Sequence, residues 1–164
     1  MVRLNVRNGI DNIDKYSHVF EGKRAGLVTN PTGTDKSLVS TIDILNRKCL
    51  LKALYSPEHG IRGHLQAGER VETYVDEMTG LPVYSLYGAS KKPGAEMLDG
   101  IDILVFDIQD IGARYYTFIS TMALCMESCA EQGKAFVVLD RLNPVGGAVE
   151  GNIPETRFRS FVGM

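Results

Sequence analysis

The residues of this sequence best suited to chemistry stand at the ends of its short apolar runs. Each run is typical of a buried strand, and carboxylates, amides, guanidinium groups, a histidine and phenols follow. In open α/β sheets, ligands bind just beyond the carboxyl ends of the strands. We therefore expect one crevice to collect these side chains: Asn30, Glu58, His59, Tyr87, Asp107, Gln109, Asp110, Arg114, Asp140, Arg141 and Asn143.

Taken singly, each of these residues is explained at least as well by a structural role. Aspartate and asparagine commonly cap turns at strand ends, and Arg114 could pair with Asp107 or Asp110. Acids from three different strand ends are harder to explain in this way. Paired carboxylates are suited to glycoside hydrolysis, in which one acid protonates the leaving oxygen and another group stabilises or attacks the anomeric carbon. Tyr115 and Tyr116 would offer flat faces to a sugar ring.

The residues alone leave two other functions open. A metal-dependent hydrolase could use Glu58, His59, His64 and Asp107 as ligands, although no spacing rule anchors His64. A non-catalytic sugar-binding or scaffold domain would use the same crevice without turnover. Nicotinamide chemistry is disfavoured, because the turn at 29–33 is not G-x-G-x-x-G. Neither a G-x-S-x-G elbow nor a Walker lysine loop occurs in the sequence.

Composition is typical of an ordinary globular domain. The chain has 164 residues, of which 44% are hydrophobic and 23% charged, with a net charge of −2. No basic patch stands out in the sequence, so nucleic acid is not favoured as a partner. No apolar run is long enough to span a membrane. The chain has three cysteines, an odd and small number that does not favour a disulfide framework. Cys125 and Cys129 lie one helical turn apart, which predicts buried thiols rather than metal ligands.

Strand-like and helix-like segments alternate along the chain. Apolar runs predict strands at 25–29, 50–55, 82–86, 102–107 and 135–139, with a long loop over 61–80. Helical spacing predicts helices over 9–20, from Thr34 or Asp35 through Leu38, Ile42 and Leu45, over 93–98, and over 117–131. This order predicts an α/β fold, a mostly parallel sheet with helices on both faces in three layers.

The end of the chain predicts a domain boundary. Phe158, Phe161 and Val162 need burial, yet no further element follows to cover them. We expect a catalytic domain over residues 1–151, with 152–164 beginning a connection to a second domain. Because that domain would wall the crevice, we expect the isolated fragment to be nearly inactive.

Five stretches in order resemble the NamZ-like family, also called YbbC-like and long regarded as a domain of unknown function. They are 26–33 (GLVTNPTG), 56–60 (SPEHG), 80–88 (GLPVYSLYG), 107–114 (DIQDIGAR) and 140–144 (DRLNP). The family is similar to exo-β-N-acetylmuramidases, which release N-acetylmuramic acid from the non-reducing end of peptidoglycan fragments. The resemblance implies a Rossmann-like N-terminal domain, a smaller C-terminal domain and a site between them. Leu142 replaces an expected proline, and 64–66 (HLQ) replaces a more acidic loop.

The resemblance leads to specific expectations for the site. Glu58 would be the general acid/base, His59 would orient it, and Arg114 would receive the lactyl carboxylate of muramic acid. Asp107, Asp110 and Asp140 are candidates for the second carboxyl or for sugar contacts. Further expected substrate contacts are Asn30, Gln109, Tyr115, Tyr116, Arg141 and Asn143. We expect no metal and no cofactor, a muropeptide as partner, and a bacterial protein that is exported or associated with the cell envelope.

Overall fold

The structure, a computed structural model, describes residues 6–58, 60–63, 73–88 and 90–163. Its centre is a six-stranded sheet in the order β3-β4-β2-β1-β5-β6. All neighbouring strands run parallel except β3, which pairs antiparallel with β4. The strands are β1 (Arg24–Thr29), β2 (Leu50–Ser56), β3 (Tyr74–Val75), β4 (Pro82–Ser85), β5 (Ile103–Asp107) and β6 (Ala135–Val138).

Helices cover both faces of the sheet, so the predicted three-layer α/β architecture is confirmed. The α-helices are α1 (Thr41–Lys48), α2 (Ala95–Leu98) and α3 (Phe118–Glu131), and 3-10 helices span Gly9–Asn12, Ser17–Val19 and Thr156–Phe158. Ile42 and Leu45 of α1 pack in one hydrophobic cluster with Leu27 of the central strand. Cys125 and Cys129 of α3 pack with Val28 in a second cluster.

The two cysteines of α3 are buried thiols, as predicted. Cys125 is fully buried and Cys129 is nearly so. Burial disfavours the charged thiolate and raises the pKa of Cys129 to about 11. Both residues therefore act as small apolar side chains under the sheet.

Three secondary-structure predictions were wrong in detail. The single helix predicted over 9–20 is two separate 3-10 helices, Gly9–Asn12 and Ser17–Val19. Leu38 does not belong to the first helix, because its backbone has a φ of 62° and its side chain is 82% exposed. The helix begins later, where the hydroxyl of Ser40 accepts a hydrogen bond from the Ile42 amide at 3.2 Å. The segment 61–80 is not only loop, since it contains β3, whose two exposed residues carry no alternating apolar signal.

The direction of strand addition changes at β1. The chain proceeds from β1 outward through β2 to β4, and then returns to the other side of β1 with β5 and β6. The loops that follow β1 and β5 therefore diverge at this point and leave a crevice beyond the strand ends. In open α/β sheets this switch point is the usual ligand site. It lies beyond Thr29 and Asp107, which are opposite one another in the parallel register.

The end of the described chain is only partly covered. Phe158 is 63% exposed and Val162 is 46% exposed, while the Lys91 ammonium lies 4.4 Å from the ring centre of Phe161. Arg114 hydrogen-bonds the Asn152 carbonyl and so attaches the segment to the rest of the fold. Within the described residues, no helix is long and apolar enough to cross a membrane.

Candidate active site

Glu58 lies in the tight turn that follows β2. The Ser56 hydroxyl and the Gly60 amide both donate to the Pro57 carbonyl, at 3.2 and 3.3 Å. Gly60 has a φ of 77°, a conformation that glycine adopts without strain. The turn thus holds a partly buried carboxyl group just beyond the sheet.

Tyr87 is the neighbour of Glu58 across the sheet. Ser56 of β2 pairs with Ser85 of β4, and Glu58 and Tyr87 each stand two positions further on. The Ser85 hydroxyl donates to the Tyr87 carbonyl at 3.0 Å and accepts from the Tyr87 amide at 3.2 Å. Hydrogen bonding with the Glu58 carboxylate, together with its negative charge, raises the pKa of Tyr87. The phenol therefore stays protonated and able to donate.

The floor of the site is a hydrogen-bonded network at the switch point. The amide oxygen of Asn30 accepts from the backbone and the hydroxyl of Thr32, at 2.9 and 2.6 Å. The Thr32 hydroxyl in turn accepts from the Gln109 amide at 2.9 Å. Gln109 donates from its side chain to the Leu142 carbonyl at 2.9 Å. The loops after β1, β5 and β6 are therefore fixed to one another here.

Glu58 and this floor share a cleft of about 510 Å³. Aromatic groups form its opposite wall, where the ring centres of Tyr115 and Tyr116 lie 5.6 Å apart. Tyr115 is 68% exposed, so its face is available to a ligand. The volume, the amides and the exposed aromatic ring suit a sugar. The lining residues are Asn30, Thr32, Glu58, Gln109, Ile111, Tyr115, Tyr116, Thr117 and Phe118.

Asp107 lies behind the cleft rather than in it. Its side chain is completely buried and binds Arg141, whose Nε and Nη2 donate to the two carboxylate oxygens at 2.6 and 2.9 Å. The Thr41 hydroxyl also donates to Asp107, and Arg141 donates to the Thr34 carbonyl at 2.9 Å. A carboxylate with this many partners and no exposure favours a structural role for both members of the pair.

The remaining acids surround a second cavity, of about 250 Å³. Asp110, Asp140, Arg141 and Asn143 line it together with apolar side chains of β5, β6 and α3. One oxygen of Asp110 accepts from the Gly112 amide at 2.7 Å, and the other is buried without a partner among the described residues. The acids that were expected in one crevice thus divide between two cavities and the buried pair.

Arg114 is exposed and lies beside the last described segment. Its guanidinium donates to the carbonyl and the side chain of Asn152. Together with 152–163 it borders a shallow groove of about 620 Å³. Arg114 immediately precedes Tyr115 of the cleft wall, so it stands at the border of the site and not among its lining residues.

The expected role of His59, and the metal alternative with His64, lie outside the described residues. Among the residues that the structure does describe, no group of three or more His, Cys, Asp and Glu could hold a metal ion. Tyr87 is a neighbour of Glu58 to which the sequence analysis assigned no specific role. Glu58 and Tyr87 each follow a paired serine by two residues, which places them side by side. The pairing of these serines is seen in the sheet and does not follow from the sequence.

Comparison with known proteins identifies the family. Residues 25–164 match the family described as exo-beta-N-acetylmuramidase NamZ, N-terminal. The chain therefore belongs to this family, and the resemblance seen in the sequence is confirmed. It is 55% identical over 163 residues to the peptidoglycan beta-N-acetylmuramidase NamZ of Bacillus subtilis (strain 168). That match takes in 97% of this chain and 39% of the Bacillus protein.

Solved structures agree with the fold. Two crystal structures of DUF1343 family proteins from Bacteroides fragilis NCTC 9343 superpose with TM-scores of 0.88 and 0.83, at 52% and 34% identity. Each match covers 98% of this chain and 41% of the Bacteroides chain. The chain thus spans about two fifths of the length of the relatives it matches.

Proposed function

We propose that this chain is the acid/base-bearing domain of an exo-β-N-acetylmuramidase that acts on peptidoglycan fragments. The observation that carries the proposal is the position of Glu58. It is the only carboxylate among the described residues that line the 510 Å³ cleft at the switch point. The family and the Bacillus relative supply the substrate class.

In this proposal Glu58 protonates the glycosidic oxygen as the sugar leaves. The Tyr87 phenol binds the carboxyl group and limits its rotation, so that one oxygen is held towards the leaving group. Tyr115 stacks on the apolar face of the sugar, while the Asn30 amide, whose oxygen is already used by Thr32, donates to a hydroxyl.

The second catalytic group and the lactyl contact come from residues that neighbour the cleft. Asp110 lines the 250 Å³ cavity directly after the cleft residue Gln109, and its buried oxygen without a partner among the described residues makes it our candidate for the second carboxyl. Arg114 remains our candidate for the lactyl carboxylate. To bind it, the guanidinium would exchange its bonds to Asn152 for the bidentate contact that carboxylates favour.

The test is Glu58→Gln in the intact protein, assayed with two muramic-acid glycosides. An unactivated alkyl or sugar leaving group needs protonation, whereas a dinitrophenolate does not. We expect turnover of the unactivated substrate to fall by ~100 to ~10,000-fold, with a much smaller fall for the activated one. Glu96→Gln, an exposed change on α2, is the matched control and should be neutral.

Near wild-type turnover of the unactivated glycoside by Glu58→Gln would reject Glu58 as the acid. A wild-type protein that binds the sugar but turns over neither substrate would instead support the sugar-binding alternative. Loss of activity on treatment with a chelator would support the metal-dependent one.

A further inference from the structure

A second, largely buried ion pair lies close in the chain to the candidate acid. The Nε and Nη2 atoms of Arg62 donate to the two carboxylate oxygens of Asp76 at 2.7 and 2.9 Å. The side chains are 20% and 5% exposed, respectively. This is the bidentate geometry in which a guanidinium fixes direction as well as charge.

Asp76 is also the centre of the turn between β3 and β4. One carboxylate oxygen accepts from the amide and the hydroxyl of Thr79, at 3.1 and 2.7 Å. The Asp76 amide donates to the Leu81 carbonyl at 2.9 Å, and the Asp76 carbonyl accepts from the Gly80 amide at 2.7 Å. The bond from Arg62, helped by Thr79, holds the pKa of Asp76 below its ordinary value. The carboxylate is therefore charged and fixed.

The pair joins the turn that carries Glu58 to the turn between β3 and β4. Arg62 is four residues beyond Glu58, on the turn that leaves β2, and the intervening Ile61 is anchored in the core. Asp76 follows β3, which pairs with β4, and β4 leads directly to Tyr87. Loss of the pair would therefore remove one anchor of the turn that carries Glu58.

Packing of β3 cannot supply this link. The strand has two residues, Tyr74 and Val75, which are 39% and 61% exposed and so bury little apolar surface. The free energy that holds this edge in place must come largely from polar contacts. Among the described residues, the Arg62–Asp76 pair is the side-chain contact that reaches the turn after β2.

We infer that Arg62 and Asp76 are positioning residues that hold the turn of the general acid Glu58 in place. The inference rests on the proposed function of Glu58. It predicts that a break in the pair impairs proton donation selectively, because a displacement of about 1 Å at a catalytic group can cost ~100-fold.

The experiment uses Asp76→Asn in the intact protein with the two glycosides described above. We expect turnover of the unactivated substrate to fall by ~10 to ~100-fold with little change in KM, while the activated substrate is hydrolysed at close to the wild-type rate. In the Glu58→Gln background the same substitution should have almost no further effect, because there is no acid left to position.

Arg62→Lys is the second variant, since it keeps the charge and loses only the bidentate fork. It should fold even if Asp76→Asn does not, and it should show the same selective loss at smaller size. Asp102→Asn, which breaks the exposed Arg24–Asp102 pair at the opposite edge of the strands, is the control and should leave both rates unchanged.

Equal losses on both substrates, or a full further loss in the Glu58→Gln background, would overturn the positioning role and leave the pair merely structural. Failure of the proposed function has a different signature, because Glu58→Gln alone would then show no selective loss. The two failures are therefore distinguishable in one set of assays.

Discussion

Two carboxylates stand at the ends of the strands that flank β1, and their surroundings differ in almost every respect. Asp107 ends β5, is fully buried, and is bound by Arg141 and Thr41. Glu58 follows β2, is partly exposed to a cleft, and lies beside Tyr87 at the end of the neighbouring strand. A carboxylate whose oxygens are already occupied cannot readily bind a substrate or exchange a proton with it. Position at a strand end is therefore not sufficient for catalysis.

The buried pair also explains how the cleft keeps its shape. Through Arg141 and the Thr34 carbonyl, Asp107 connects the end of β5 with the loops that follow β6 and β1. The Thr29 hydroxyl adds a bond to the Asp107 carbonyl at 2.8 Å. Two of these loops carry Asn30 and Gln109 of the cleft floor. The structural carboxylate thus supports the surface over which the exposed one would act.

The largest expected effect comes from a break in the buried pair. Arg141→Met should lower the free energy of unfolding by about 3–5 kcal/mol, because it leaves Asp107 buried without a compensating charge. Glu58→Gln should change it by no more than about 0.5 kcal/mol. Denaturant unfolding monitored by circular dichroism measures both.

A double variant separates charge from packing. Arg141→Met combined with Asp107→Leu removes both charges and should recover most of the lost stability, since apolar replacements of buried pairs are often neutral. If Arg141→Met alone costs under about 1 kcal/mol, the contrast between the two carboxylates does not hold.

The next largest effect is expected at Gly33, which lies against the buried pair. A Cβ there would clash with the Thr29 hydroxyl and lie 3.0 Å from the Asp107 carbonyl. Gly33→Ala should therefore destabilise the protein by about 1–3 kcal/mol, as overpacking does. Gly147→Ala is the matched control, because its Cβ would meet nothing within 4 Å. Equal melting temperatures for the two variants would show that the turn relaxes without cost.

Sequence patterns predicted the architecture well because it depends on local apolar runs. Five of the six strands and the long α3 helix were expected from periodicity and punctuation by glycine and proline. The missed strand, β3, is short, exposed and held by the Arg62–Asp76 pair rather than by an apolar pattern. Leu38 suited a helical face by spacing alone, yet it lies in the loop before α1.

The division of the acids among separate surroundings could not be predicted from the sequence. Asp107 and Arg141 are 34 residues apart, and only the parallel pairing of β5 with β6 brings their side chains together. In the same way, the register of β2 against β4 determines that Tyr87 lies beside Glu58. The type of a residue at a strand end follows from the sequence, whereas its partners follow from the sheet.

The smallest expected effect concerns Asp102, at the opposite end of β5 from Asp107. Arg24 donates to it from its guanidinium at 2.7 Å and from its backbone at 2.8 Å, and these bonds hold the pKa of Asp102 well below its ordinary value. A carboxylate whose pKa is lowered in the folded state stabilises the fold at pH values above its ordinary pKa. This stabilisation is lost as the pH falls and the carboxylate is protonated.

The direction of this pH dependence determines what is expected of Asp102→Asn. The difference in stability between wild type and variant should be small at pH 7 and should shrink further as the pH falls below about 4. Salt should also reduce it, because the two side chains are 47% and 38% exposed, whereas the effect of Arg141→Met should be little changed by salt. Unfolding curves at two salt concentrations measure both. If the difference in the free energy of unfolding between wild type and Asp102→Asn grew as the pH fell, the stabilising role of the Asp102 carboxylate would be contradicted. Such a result would require Asp102 to stabilise the fold in its protonated form.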